Sequence, residues 1–173
     1  MVTIKTYIRK ENRLKIALNI IVILLLLLWV PVSIEKLVDF SSFKRGIYNQ
    51  PLGNSLATIL IYVVPFLEVL TVFALISERF RKQGFLLSIA LMAAFTTYIG
   101  VALLGAWENL PCACGSVIKG MSWSQHFLFN LFFLILSILG FLLQNKHRGS
   151  SAQSIATEGR PAKWQRHNKI SNL

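Results

Sequence analysis

Apolar positions along this chain gather into four long runs separated by short polar breaks. The first covers about 14–34 and contains the unbroken Leu24–Leu28 stretch; the others cover about 55–77, 83–106 and 124–144. Each is long enough to cross a bilayer core, which takes about 20 apolar residues. Lipid offers no partner to backbone N–H and C=O groups, so each run is expected as a helix. The pattern predicts an all-α fold, an integral membrane four-helix bundle over residues 1–145. The first run is too long for a signal peptide, and no small-residue cleavage site follows it: with a cut near Ser33, Pro31 would occupy a position that needs a small side chain. An uncleaved anchor is the expectation. Residues 146–173 are polar and basic. They cannot bury enough apolar surface to fold alone, so a disordered cytoplasmic tail is expected, with contact to anionic lipid as the alternative.

Composition agrees with this pattern. The chain has 173 residues, 54% hydrophobic and only 14% charged, against roughly 25% charged in soluble domains. The net charge of +11 does not point to nucleic acid, because no basic patch lies on a readable folded module. The basic residues instead mark the ends of the runs. Lys5, Arg9, Lys10, Arg13 and Lys15 precede the first; Arg79, Arg81 and Lys82 separate the second from the third. Lys146, Arg148, Arg160, Lys163, Arg166 and Lys169 follow the fourth, while Lys36, Lys44, Arg45 and Lys119 are left for the two other loops. Positive-inside asymmetry then places both termini in the cytoplasm and the loops at 35–54 and 107–123 outside.

The 107–123 loop holds the only two cysteines, in Pro111-Cys112-Ala113-Cys114-Gly115. On the non-cytoplasmic side disulfides form and persist. As a staple, a C-x-C bridge would be weak: loop entropy gives about 1.6 kcal/mol for three residues against about 3 for fifteen. Strained, exposed disulfides are the labile or catalytic ones, and Pro111 and Gly115 suit a tight, accessible turn. Cys112 and Cys114 are therefore the candidate redox pair. Two other readings stay open. The thiols could be unrelated, or they could join Met121 or His126 around a soft ion such as Cu(I). A closed zinc site needs four ligands, and only Cys112, Cys114 and His126 are evident. His126, at the expected outer end of the fourth run, could lower a thiol's pKa, or be simply interfacial. Trp107 and Trp123 flank the loop as aromatic-belt anchors.

Glu68 is the one acidic residue deep in a run, three residues after Pro65. Intramembrane carboxylates are costly and usually face a bundle interior or a water-filled cavity. Glu68 is a candidate proton or ligand site, or else a packing contact to Asn19 or Tyr98. Ala90 with Ala94, and Ala102 with Ala106, have the small-xxx-small spacing of close helix packing.

These residues together resemble a known family. Glu35-Lys36-Leu37-Val38-Asp39-Phe40 with Phe43, Pro65-Phe66-Leu67-Glu68, Cys112-Ala113-Cys114-Gly115, and Ser122-Trp123-Ser124-Gln125-His126 through Asn130 look like segments of the MauE-type (methylamine utilisation) branch of the DoxX-like membrane proteins. The resemblance covers roughly residues 10–145. It implies a four-helix bundle in the inner (plasma) membrane of a bacterium and a redox-associated role outside the cytoplasm. The founding member is linked to maturation of methylamine dehydrogenase, a disulfide-rich enzyme. The leading expectation is a membrane thiol–disulfide component whose C-x-C pair exchanges with a thioredoxin-like partner or an exported client. The alternative is a non-enzymatic scaffold or maturation chaperone whose thiols are structural or bind a soft metal. A small-solute transporter has little support, since no pair of broken helices is evident. The cofactor stays open: quinone-linked disulfide generators of the four-helix type use a second cysteine pair, which this chain lacks, so either a partner supplies it or quinone-linked disulfide generation is absent.

Overall fold

A computed structural model of the protein describes residues 2–50, 53–104 and 122–158. All regular structure among them is helical: α1 (Val2–Val38), α2 (Phe40–Tyr48), α3 (Asn54–Ile76), α4 (Arg81–Leu103) and α5 (Trp123–Glu158). Among the described residues, four segments are long and apolar enough to cross a membrane: Glu11–Val38, Asn54–Ile76, Arg81–Leu103 and Trp123–His147. The expected four-span bundle is present, with the second and third spans close to their expected limits.

The first span extends beyond its expected limit. Pro31 has no N–H to donate, which frees the carbonyl of Leu27. Both residues lie on the exposed face, so the helix loses one outward bond and continues to Val38. At the other end of the chain, α5 continues past 144 to Glu158, into the stretch expected as a polar tail. Residues 159–173 lie outside the described residues.

α1 packs beside α3 and α5, and α4 packs beside the same two helices. α1 and α4 therefore stand on one diagonal of the bundle. Leu18, Ile21, Val22, Leu25, Leu28 and Trp29 are buried along a single face of α1, at the three- and four-residue spacing of one helical stripe. They meet Leu75, Phe85, Leu91 and Met92 in the core. Large apolar side chains such as Leu27, Phe66, Phe73 and Phe132 point outward, as a lipid-facing surface allows. A short turn at 77–80 joins α3 to α4 and makes them antiparallel neighbours. Their close approach depends on Gly84, where an added Cβ would stand 2.7 Å from the Leu75 backbone nitrogen.

One polar chain crosses the middle of the bundle. The Trp29 indole N–H donates to Ser88 Oγ at 3.0 Å, and Ser88 Oγ lies 2.8 Å from Ser137 Oγ. Ser137 in turn donates to the Phe133 carbonyl at 2.8 Å. Each hydroxyl is satisfied inside an otherwise apolar layer.

The segment expected as a plain loop at 35–54 contains α2. Asp39 caps it by accepting the Ser42 N–H at 3.2 Å. Phe43 is buried against the bundle, while Ser41, Ser42, Lys44 and Arg45 face out. Tyr48 pairs with Thr58 at 3.1 Å, and the Phe40 and Tyr62 rings lie 6.0 Å apart. These contacts lay α2 across the start of α3.

Candidate functional site

The buried stripe of α1 does not stop where the apolar run stops. Continued by three- and four-residue steps, it reaches Ser33 and then Lys36, both buried. Lys36 Nζ donates to Oε1 of Glu68 on α3. Lys36 is 4% exposed and Glu68 not at all. The ammonium also lies 5.4 Å from the ring centroids of both Phe43 on α2 and Phe95 on α4. A cation near aromatic faces is attracted by their quadrupoles, more strongly when desolvated. Three helices besides its own thus surround the Lys36 head group. The second carboxylate oxygen of Glu68 and the Ser33 hydroxyl are buried without a hydrogen-bond partner among the described residues.

This corrects the expected partners of Glu68. Asn19 Oδ1 instead accepts from Arg81 at 3.5 Å, toward the opposite end of the bundle. Tyr98 donates to Oε1 of Gln50. The actual partner, Lys36, counts in the sequence only as a loop cation. The signal that marked it is its phase with Trp29 and Ser33 on the α1 stripe.

Beside the ion pair lies a cavity of about 360 Å³. Phe43 and Ile47 cover it from α2 and Gln50 from just beyond α2, Leu60, Val63, Val64 and Leu67 form the α3 wall, and Leu87, Leu91 and Phe95 are on the α4 wall. Lys36 and Tyr98 supply further polar tips. Ala90 and Ala94 also line it and are exposed. Their small side chains therefore leave a gap open to the outside rather than a tight helix contact, a departure from the packing role expected of that pair. At the other end of the bundle, Lys15, Asn19, Glu78, Arg81, Gln144 and His147 line a second, more polar cavity of about 450 Å³.

Cys112 and Cys114 lie outside the described residues, as do Trp107 and Met121. The flanks of their segment are described. The chain leaves at Leu104, just past α4, and resumes at Ser122, just before α5. Gly100 approaches Phe127 near this end, and Tyr98 reaches Gln50 beyond α2. Both flanks therefore belong to the end of the bundle that α2 covers. The resumption is tightly built. Ser122 Oγ accepts the Gln125 N–H at 3.3 Å, and Gln125 Oε1 accepts the Ser122 N–H at 2.9 Å. This reciprocal capping box satisfies two backbone donors at the helix start. His126 follows in the first turn, part-buried, its backbone N–H bonded to the Ser122 carbonyl at 3.0 Å.

A bundle of four apolar helices of spanning length, with an ion pair sealed among them, defines a multi-pass helical membrane protein. The family model of methylamine utilisation protein MauE matches residues 14–143. The chain belongs to that family. Searches among curated proteins and among solved structures gave no match.

Proposed function

We propose that this protein is a membrane component of thiol–disulfide chemistry outside the cytoplasm, with Cys112 and Cys114 as its working pair. The observation that carries the reading is the position of this lone C-x-C pair, in the connection between α4 and α5. Both ends of that connection emerge at one end of the bundle, over the same face as α2. The charge asymmetry of the sequence favours both termini in the cytoplasm and this end outside. There a thioredoxin-like protein or an exported client can reach the thiols.

Exchange needs no external electron source. The thiolate of one cysteine attacks a sulfur of the partner's disulfide, forming a mixed disulfide and releasing the partner's other sulfur as a thiolate. The second cysteine of the pair then attacks its neighbour's sulfur and expels the partner. One dithiol is oxidised as the other disulfide is reduced, and the reverse sequence runs equally. His126, next to the capping box, is the candidate group for favouring a thiolate. Glu68 is paired with Lys36 inside the bundle and takes no step in this exchange. The family description supports a place for this exchange in methylamine utilisation.

The test is labelling of intact cells with a membrane-impermeant maleimide, with and without prior reduction. Labelling only after reduction is the expected result. Labelling only after lysis would overturn the orientation. Cys112→Ser and Cys114→Ser variants are then screened for a trapped mixed disulfide; if neither traps one, the exchange reading fails.

A further inference from the structure

The cavity between α3 and α4 is apolar apart from three polar side chains, and one of these is a buried cation. A lysine ammonium has three donors, and Glu68 takes one. No other acceptor for Lys36 is found among the described residues, and Lys36 lines the cavity. Donor capacity therefore faces an apolar space flanked by the rings of Phe43 and Phe95. Glu68 stands outside the lining, so the ion pair presents its donor side to the space and keeps its acceptor side away. The gap at Ala90 and Ala94 opens between two lipid-facing helices, so an occupant enters from the bilayer.

We infer that this cavity binds a neutral, lipid-soluble molecule with a carbonyl on a flat ring, the chemistry of a quinone with an apolar tail. The carbonyl accepts from Lys36 Nζ, and the ring lies along Phe43 and Phe95. The tail leaves past Ala90 and Ala94 into the membrane. Neutrality follows from the pair. An anionic head group would compete with Glu68 for Lys36 and strand a buried carboxylate, which is strongly unfavourable. The volume of about 360 Å³ lies within the range of small-molecule sites, roughly 300–1,000 Å³. The inference is independent of the thiol exchange proposed above, and its test leaves both cysteines in place.

The experiment is calorimetric titration of the full-length protein in lipid nanodiscs with a benzoquinone carrying a decyl tail. Saturable one-site binding is expected. Ala94→Phe and Ala90→Phe, made separately, each place a ring in the cavity from an exposed position and are expected to abolish it. The double variant Lys36→Met/Glu68→Leu keeps the interior uncharged and is expected to weaken binding about tenfold or more, the worth of one hydrogen bond from a charged donor. Dioleoylglycerol, whose carbonyls are not on a ring, and oleate, which is anionic, are expected to compete poorly. Absence of saturable binding would overturn the inference, as would unchanged affinity in all three variants. Displacement by dioleoylglycerol as effective as by the quinone itself would overturn the ring-bearing head group, and equal displacement by oleate would overturn its neutrality.

Discussion

Lys36 and Glu68, 32 positions apart in the chain, form one ion pair sealed between α1 and α3. Each residue looks unfavourable alone, since a buried unpaired charge is among the costliest features a protein interior can carry. Together they are tolerated, and the pair fixes the C-terminal end of α1 against α3 beneath α2.

This relationship predicts strong non-additivity. Lys36→Met strands the carboxylate and is expected to destabilise the protein by about 3–5 kcal/mol, whereas replacing both partners by apolar residues is expected to be close to neutral. Denaturant titration of wild type, Lys36→Met, Glu68→Leu and the double variant measures the cycle. Single losses that simply add in the double variant would show that the two groups do not act as a pair.

Gly84 is predicted to be intolerant of any side chain. An added Cβ would meet Leu75 N at 2.7 Å and Ala74 C at 2.9 Å. Both are backbone atoms that cannot rotate away, so α3 and α4 would have to separate. Gly84→Val is expected to cost about 1–3 kcal/mol, as overpacked sites do. A melting temperature equal to that of wild type would contradict the close approach.

The capping box at Ser122 and Gln125 predicts a local effect. Ser122→Ala is expected to remove about 1 kcal/mol from the start of α5. Hydrogen exchange of the amides at 123–126 should quicken, while the middle of α5 near Ser137 stays protected. Unchanged exchange at these amides would mean that the box does not hold the helix start.

Asp39 predicts a pH dependence at α2. Hydrogen bonds from the Ser42 side chain and then from its backbone N–H hold the carboxyl below its ordinary value. The folded value is lower than the unfolded one. The contribution is therefore complete above the ordinary carboxylate range and is lost as pH falls below about 4, through the lowered value. Amide exchange across α2 should accelerate in that window relative to the intrinsic rate. Asp39→Asn keeps a good cap without a titrating group and should abolish the dependence. The same acceleration in Asp39→Asn would assign it to another group.

The long apolar runs carried most of the architecture in plain view. Runs of spanning length admit only helices in lipid, and the limits of α3 and α4 fell near those of the runs. α2 was hidden because nine residues with alternating faces, Phe40 to Tyr48, resemble an ordinary polar loop when judged by length. Lys36 was hidden for a different reason. A cation just past an apolar run normally marks topology, and only its phase with Trp29 and Ser33 on one helical face shows that it points inward. Glu68 stood out at once because a carboxylate within a span has few explanations. Its partner did not, because pairing between helices depends on which faces meet, and no local pattern states that. Ala90 and Ala94 showed the spacing of a helix contact, yet spacing cannot tell a contact from a gap.

The Trp29–Ser88–Ser137 chain has a consequence for how the helices settle against one another. In lipid, an apolar side chain gains little by leaving one greasy neighbour for another, so rotation of a helix about its axis is only weakly opposed by burial. Hydrogen bonds do oppose it. With 3.6 residues per turn, a shift of α5 by a single residue would swing Ser137 about 100° away from Ser88 and break the bond between their hydroxyls. A few atoms at mid-membrane thereby act as a key in a lock barrel: α1, α4 and α5 can close together at one angular setting, and the wrong settings jam.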